Sequence, residues 1–406
     1  VLRLARIESV RPSSSLTAHA YIDEDRVKPP RANVSRRALL RGRLTDPSPR
    51  ESGQGPALSG PSRRDERPGI GDLLVARREG MGSFFEVRLP ASCPGGVELA
   101  SRALDLIEAL EDQLTVYRDD SEVSRLNATA HLGPVAVEAG LFAILERGAS
   151  LARQTGGAYD IAAGALSAAW GFTRGPRRVP SADALADARA RSGTHLLRLD
   201  PERRTVAFTR PGVIINLGSI GKGYALDRAA GVVRAYPWPT STLIHGGASS
   251  VYALGSPPGT LGGRWEIAVR DPGDGTRSLG TFRLRDQGLG TSGAFFQEFE
   301  AGGRRYGHII DPRTGEPPSN GPLAVTVVAP TAAEADALST ALYLLGPEGG
   351  RALLADRPNL GALFVLEGPR LVTANLPDFL FRPARGVPVM DALSVPVPSA
   401  VGGARP

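Results

Sequence analysis

The chain has 406 residues, 41% of them hydrophobic, with 48 Lys or Arg against 42 Asp or Glu; that supports a real core and is long enough for one large domain or two ordinary ones. Residues 1–78 hold 16 Arg or Lys against 9 Asp or Glu, more than the whole net charge of +6, so the basic surplus lies at one end and argues against a nucleic-acid groove on a folded surface. One cysteine, Cys93, excludes an intramolecular disulfide and a multi-cysteine zinc site, and with no run of about 18 apolar residues no membrane span is expected.

Residues 1–76 are rich in Pro, Ser, Arg and Gly without periodicity, which predicts a disordered basic N-terminal extension. Within it, Ser35-Arg36-Arg37-Ala38-Leu39-Leu40 has the look of a twin-arginine export signal. The polar Arg41-Gly42-Arg43-Leu44-Thr45-Asp46 follows where such a signal needs an apolar stretch, so the segment reads as a basic stretch. The compartment, cytoplasmic or periplasmic, stays open.

Residues 77–385 carry the pattern of a folded domain. Ala103, Leu106, Ile107, Leu110 and Leu114 recur at helical spacing over 97–114, and 141–154 repeats the pattern up to Gly156-Gly157. Val213-Ile214-Ile215 predicts a buried strand running into a glycine-rich turn and a helix. Segments 265–269, 281–284 and 323–329 predict strands. Thr331 with Glu334 three residues on predicts a capping box opening a helix. Residues 386–406, again rich in Pro and Gly, predict a flexible tail. Strands and helices mix without a strict βαβ rhythm, so the fold class is α+β, and no internal repeat is visible.

Several segments carry side chains suited to chemistry. Only two of the 48 cations are lysine, Lys28 in the extension and Lys222 in Gly218-Ser219-Ile220-Gly221-Lys222-Gly223-Tyr224. A lysine is a compact point charge that a planar guanidinium cannot copy, and glycines before a helix N-terminus suit phosphate. The segment does not meet the P-loop spacing, and a surface lysine after a tight turn is the other reading. Asp336 and Thr340 lie four apart on a predicted helix, so their oxygens share one face, a hard-oxygen pair suited to Mg²⁺. Asp near a helix start also complements the dipole without any ligand. His308, before Ile309-Ile310-Asp311-Pro312-Arg313-Thr314-Gly315, is placed as a general base or as a structural histidine at a strand start. Gly156-Gly157-Ala158-Tyr159-Asp160, followed by Trp170-Gly171-Phe172, fits a flat-ring pocket or a helix cap with core aromatics. Thr291-Ser292-Gly293 is a small polar turn.

Taken in order, and together with Met81-Gly82-Ser83 and the stretch from Leu114 through Tyr117 to Asn127, these segments resemble the FAD:protein FMN transferase family, also called ApbE. The resemblance spans 81–366. It implies a single flavin-transferase domain of mixed sheets and packed helices, with FAD as substrate and Mg²⁺ as cofactor. The implied reaction is transfer of FMN to a Thr or Ser hydroxyl of an acceptor flavoprotein carrying a Ser/Thr-Gly-Ala-Ser/Thr motif, with release of AMP. FAD-contacting positions match Met81, Tyr117, Ala158, Tyr159, Asp160, Asn216 and Lys222. Metal-binding positions match Ser219, Asp336 and Thr340, and His308 matches the suggested base. The family usually carries Asp at position 216 and Gly-Gly-Asp where this chain has Gly246-Gly247-Ala248. The alternatives are an FAD pyrophosphatase and a non-catalytic flavin-binding protein. Leu289 to Phe295 lacks the Asp and final hydroxyl of the acceptor motif, so no self-labelling is expected there.

Overall fold

A computed structural model describes residues 6–10, 18–19, 71–238, 241–293, 297–368 and 370–391. The export-like segment 35–46 and the tail beyond Asp391 lie outside the described residues. Among those residues the largest sheet has ten strands. Their order is β1 (Arg6–Val10), β3 (Leu73–Gly80), β4 (Ser83–Pro90), β8 (Thr242–Gly246), β9 (Ser250–Leu254), β12 (Gln287–Gly293), β15 (Ala324–Ala329), β16 (Gly361–Leu366), β17 (Arg370–Ala374) and β19 (Val389–Asp391). Neighbours run antiparallel except β17 and β19.

A second sheet orders β18 (Phe381–Pro383), β11 (Ser278–Leu284), β10 (Trp265–Arg270) and β2 (Ala18–His19). A third holds β5 (Val135–Ala136), β7 (Thr205–Phe208) and β6 (Leu197–Asp200), and β13 (Glu298–Ala301) pairs with β14 (Arg304–Gly307) as a separate hairpin. The helices are α1 (Gly96–Leu114), α2 (Glu122–Thr129), α3 (Ala139–Gln154), α4 (Gly164–Ala169), α5 (Ala182–Ala190), α6 (Gly221–Arg234) and α7 (Ala332–Leu354), the last broken at Gly346 ahead of Pro347.

The central strands are buried on both faces, which explains their continuous apolar runs. On β15, Val325, Val327 and Ala329 join the core made with α1, α3, α6 and α7, while Ala324 and Val328 join the core made with Trp265, Ile267, Phe282 and Leu284 of the second sheet. The same period-two split divides Ala362 and Phe364 from Leu363 and Val365 on β16. One fully buried charge interrupts this sheet. Glu86 on β4 is paired by Arg77, Arg88 and His245. Burial alone would raise its pKa, but the hydrogen bonds and charges of His245 and Arg88 hold it well below the usual carboxylate range.

The sequence-based elements meet the structure with specific differences. The helices over 97–114 and 141–154 and the strands over 265–269, 281–284 and 323–329 are present. Val213-Ile214-Ile215 is extended and largely buried but joins no sheet. Asn127 brackets Ile215 through both its amide nitrogen and its oxygen (2.9 and 2.8 Å), and the Ile214 carbonyl accepts from Gly164 N at 3.0 Å. Side chain and loop therefore replace a ladder, satisfying the buried backbone locally. Ile309-Ile310 is likewise not a strand; β14 ends at Gly307. The capping box is half built: Thr331 accepts from Glu334 N, while the Glu334 carboxylate turns to Arg147 at 2.6 Å. Within the N-terminal extension, 6–10 and 18–19 are strands, β3 opens at Leu73, and β19 lies in the C-terminal segment.

The start of α7 lies directly on α6 and β12. A Cβ on Gly223 would stand 2.2 Å from the Ala332 carbonyl oxygen, and one on Gly290 would stand 2.5 Å from Asp336 N. Both neighbours are backbone, which no rotamer change can move. Gly290→Ala is expected to destabilise the chain by about 1–3 kcal/mol, read as a lowered urea midpoint; an unchanged midpoint contradicts the close packing.

Candidate active site

The first turn of α6 is Gly221-Lys222-Gly223, and no side chain of its own N-cap residue satisfies it. The partner comes from α7: Asp336 Oδ2 accepts from Gly223 N at 2.7 Å, while Ser250 Oγ donates to Asp336 Oδ1 at 2.8 Å. The reverse bond also exists. Asp227, in the second turn of α6, accepts from Ala332 N at 2.8 Å and Ala333 N at 2.9 Å, one on each oxygen. Each helix thus lends a carboxylate to the positive end of the other.

Burial raises both acids to about 6. For Asp336 the Lys222 charge, the Ser250 hydroxyl and the Gly223 amide oppose the rise. For Asp227 the Ala333 and Ala332 amides oppose it, and the Asp336 charge adds to it. Lys222 donates from Nζ to Ser249 Oγ at 2.6 Å. A row of hydroxyls continues the site along α7: Ser339 Oγ donates to the Asp336 carbonyl at 2.8 Å and Thr340 Oγ1 at 3.4 Å, and Ser292 Oγ of β12 meets Ser339 Oγ at 2.8 Å and Thr340 Oγ1 at 3.1 Å.

Tyr159 reaches this cluster from the turn after α3. It is 1% exposed, and its hydroxyl makes no hydrogen bond of good geometry. Burial raises its pKa well above the ordinary phenol, a polar contact with Ser219 opposes the rise, and the charges of Asp160 and Asp336 add to it. Asp160 fixes the neighbouring loops, accepting from Ala162 N at 2.8 Å and from Thr194 N and Oγ1 at 2.8 and 3.1 Å. Asn216 N donates to the Ile161 carbonyl at 2.8 Å, and Asn216 Oδ1 accepts from Gly218 N at 2.9 Å, closing the turn before α6. That turn needs an acceptor oxygen, which the amide supplies without charge.

His308 follows β14 and folds back on the segment before β13. Its backbone N donates to the Gln297 carbonyl at 3.0 Å, and Nδ1 lies 3.2 Å from the same oxygen. A carbonyl only accepts, so Nδ1 carries the proton and Nε2 keeps its lone pair. Burial lowers the His308 pKa; the Gln297 bond opposes this, and the Lys222 and Arg177 charges reinforce it. The following loop is fixed by Asp311, which accepts from Arg313 Nη2 at 2.7 Å and Nε at 2.9 Å, and by Trp170 Nε1 donating to the Gly315 carbonyl at 2.9 Å.

The structure joins Lys222, Asp336 and Thr340 through a run of direct bonds, Lys222 to Ser249, Ser249 to Ser250, Ser250 to Asp336, and Thr340 to the Asp336 carbonyl. Tyr159 and His308 are bonded to none of these three and feel only the charges of Asp336 and Lys222, and Ser219 lies beside the Tyr159 hydroxyl. Ala158 is fully buried beside Tyr159. Met81 lies in the β3–β4 turn at φ 49°, and the neighbouring Ser83 abuts Gly247 of the turn leading to Ser249. Tyr117 takes no part in the network and is 63% exposed between α1 and α2. Sequence reasoning missed Asp227, Ser249, Ser250 and Ser339. It read Thr291-Ser292-Gly293 as a small polar turn, whereas these residues end strand β12 and pair with β15. Asp227 lies five residues after Lys222 on a recognisable helix, but nothing in its spacing reveals that it reaches a helix 105 residues away. A cleft bounded by Arg102, Leu106, Asp227, Arg228, Val232 and Tyr236 lies along α6; it contains none of the predicted site residues. Among the described residues no three His, Cys, Asp or Glu form a metal cluster, and no helix is long and apolar enough to cross a membrane.

These features define a mixed α+β protein of the ApbE fold. The solved ApbE protein of Thermotoga maritima matches with a TM-score of 0.69 at 28% identity, covering 74% of this chain and 97% of its own. The flavinyl transferase ApbE of Pseudomonas stutzeri matches at 0.65 with 29% identity, covering 77% and 95%. The chain belongs to the ApbE family, whose sequence profile matches residues 81–364. The FAD:protein FMN transferase of Treponema pallidum is 33% identical over 305 residues, 72% of this chain and 84% of that protein, and its Escherichia coli K12 counterpart is 27% identical over 314 residues, 76% and 88%.

The raised Asp336 pKa has a sign that can be measured. The native chain holds this proton to about pH 6, whereas an unfolded aspartate releases it near 3.9. The stability it contributes is fully present below about pH 4 and is lost as pH rises through about 6. Asp336→Asn should therefore gain stability relative to the parent chain between pH 4 and 7, read from urea midpoints at both ends. A difference independent of pH contradicts the assignment.

Proposed function

We propose that this chain is an FAD:protein FMN transferase that uses Mg²⁺ and a Ser or Thr hydroxyl of an acceptor flavoprotein, releasing AMP. The observation that carries the reading is one hydrogen-bonded cluster that combines a buried carboxylate, one of only two lysines in the chain and a row of hydroxyls, with the imidazole of His308, its pKa lowered by burial, near enough for the Lys222 charge to lower it further. The transferase names of the relatives support it.

The donor set fits a hard divalent cation. Every nearby side chain that could ligate through Asp336, Thr340 or Ser219 offers oxygen. Desolvation holds the Asp336 pKa up despite Lys222, Ser250 and Gly223, and the Tyr159 hydroxyl is buried without a well-made bond; both are incompletely compensated costs that a bound cation and diphosphate would relieve. Asp336, Thr340 and the Ser219 carbonyl would hold Mg²⁺, which when bound supplies charge neutralisation on the diphosphate.

The chain's own groups account for the remaining work. Met81, Tyr117, Ala158, Tyr159, Asp160 and Asn216 line the FAD position. Lys222, oriented by Ser249, sets a compact positive charge against the flavin-side phosphate. His308 Nε2 takes the proton from the acceptor hydroxyl. That oxygen bonds to the flavin-side phosphorus as the phosphorus–oxygen bond to the adenylate half breaks, and AMP leaves with the bridging oxygen.

Incubation with FAD, Mg²⁺ and an acceptor peptide bearing the Ser/Thr-Gly-Ala-Ser/Thr motif should give a peptide heavier by FMN, together with AMP. His308→Ala should slow transfer by about 10²–10⁴, and Asp336→Ala should slow it at least as much. With the His308 pKa below its ordinary 6.5, the rate should hold at neutral pH and fall only on the acid side of that value. Free FMN and AMP without adduct would instead identify a pyrophosphatase, and retained FAD without AMP a binding protein.

A further inference from the structure

We infer that Asp227 is a positioning residue: by clamping the first two amides of α7, it sets where Asp336 and Thr340 stand over α6. Only the roles given to Asp336 and Thr340 rest on the transferase reading; the geometry stands without it.

Five observations carry the assignment. Asp227 supplies one oxygen to each of Ala332 N and Ala333 N, two of the amides a helix start leaves without internal partners. Thr331 serves a different amide, that of Glu334, so the two caps are not redundant. Asp336 follows Ala332 by about one helical turn, and its carboxylate returns to α6 at Gly223 N; a shift of the first turn is passed straight to it. The contact between Gly223 and Ala332 is backbone to backbone, with no side chain to absorb a displacement. Asp227 makes no hydrogen bond to the Lys222 ammonium or to His308, so its mechanical hold on the site passes through α7, beside the charge interaction it shares with Asp336.

The chemistry also explains the residue type. Two adjacent N–H donors need two acceptor oxygens on one short side chain. An amide of the same shape offers one oxygen and turns an NH₂ toward the second donor, so Asp227→Asn is a minimal disruption.

The test is hydrogen–deuterium exchange of the full chain, without FAD or metal, read by mass spectrometry on peptides covering 221–225 and 331–336. In Asp227→Asn both peptides should exchange about tenfold faster or more, because a bond to a charged group is lost. In Thr331→Ala the 331–336 peptide should loosen while 221–225 keeps its protection. Unchanged protection of 221–225 in Asp227→Asn, or equal loosening of it in Thr331→Ala, overturns the inference. As a second readout, Asp227→Asn should raise the Mg²⁺ concentration giving half-maximal FAD cleavage about tenfold, as expected when ligands are displaced rather than removed. If the parent chain cleaves no FAD, the transferase reading fails by itself, and the exchange result still decides the role of Asp227.

Discussion

Two helix starts meet at one buried junction, and each is held by a carboxylate from the other. This mutual capping by Asp227 and Asp336 is the constraint around which the rest is arranged. It demands that α6 and α7 approach closely, which Gly223 permits, and that β12 pass directly beneath, which Gly290 permits. Once α7 is seated, Ser339 and Thr340 fall beside Ser292 of β12. The large sheet supports the junction from one side and is itself backed by the second sheet, so the strands bearing Ser250 and Ser292 have little freedom to shift.

The electrostatics of the junction are unsettled in a useful direction. Asp336 faces Lys222, yet burial outweighs that partner and leaves its pKa near 6. Glu86 shows the opposite balance: there His245 and Arg88 overcome the penalty and drive the pKa down. The contrast separates an ion cluster that completes the sheet from a carboxylate whose compensation is partial. Polar groups left short of partners inside a fold are where ligands gain most, and the Tyr159 hydroxyl belongs with Asp336 in this respect.

Much of the fold was legible because helix periodicity and apolar runs report burial directly. α1, α3 and the strands β10, β11 and β15 follow from pattern alone. Val213-Ile214-Ile215 did not, because burial with β-branched residues marks a strand only when a ladder exists, and here Asn127 takes its place. Asp336 with Thr340 was legible as an i, i+4 pair, and Lys222 by its rarity. Asp227, Ser250 and Ser292 were not: their meaning lies in contacts across more than 40 residues of chain, which no local spacing encodes. His308 could be named as a base or a structural residue, but only the Gln297 carbonyl fixes which nitrogen carries the proton.

Asn216 closes the turn before α6 with an uncharged oxygen, so the local geometry survives without a negative charge. An aspartate at the same place could make the same bond but would bring a further negative charge toward a helix start already held by the buried carboxylate of Asp336. The acceptor that shapes this loop does not titrate, so the bond is the same on the acid and the alkaline side of neutrality.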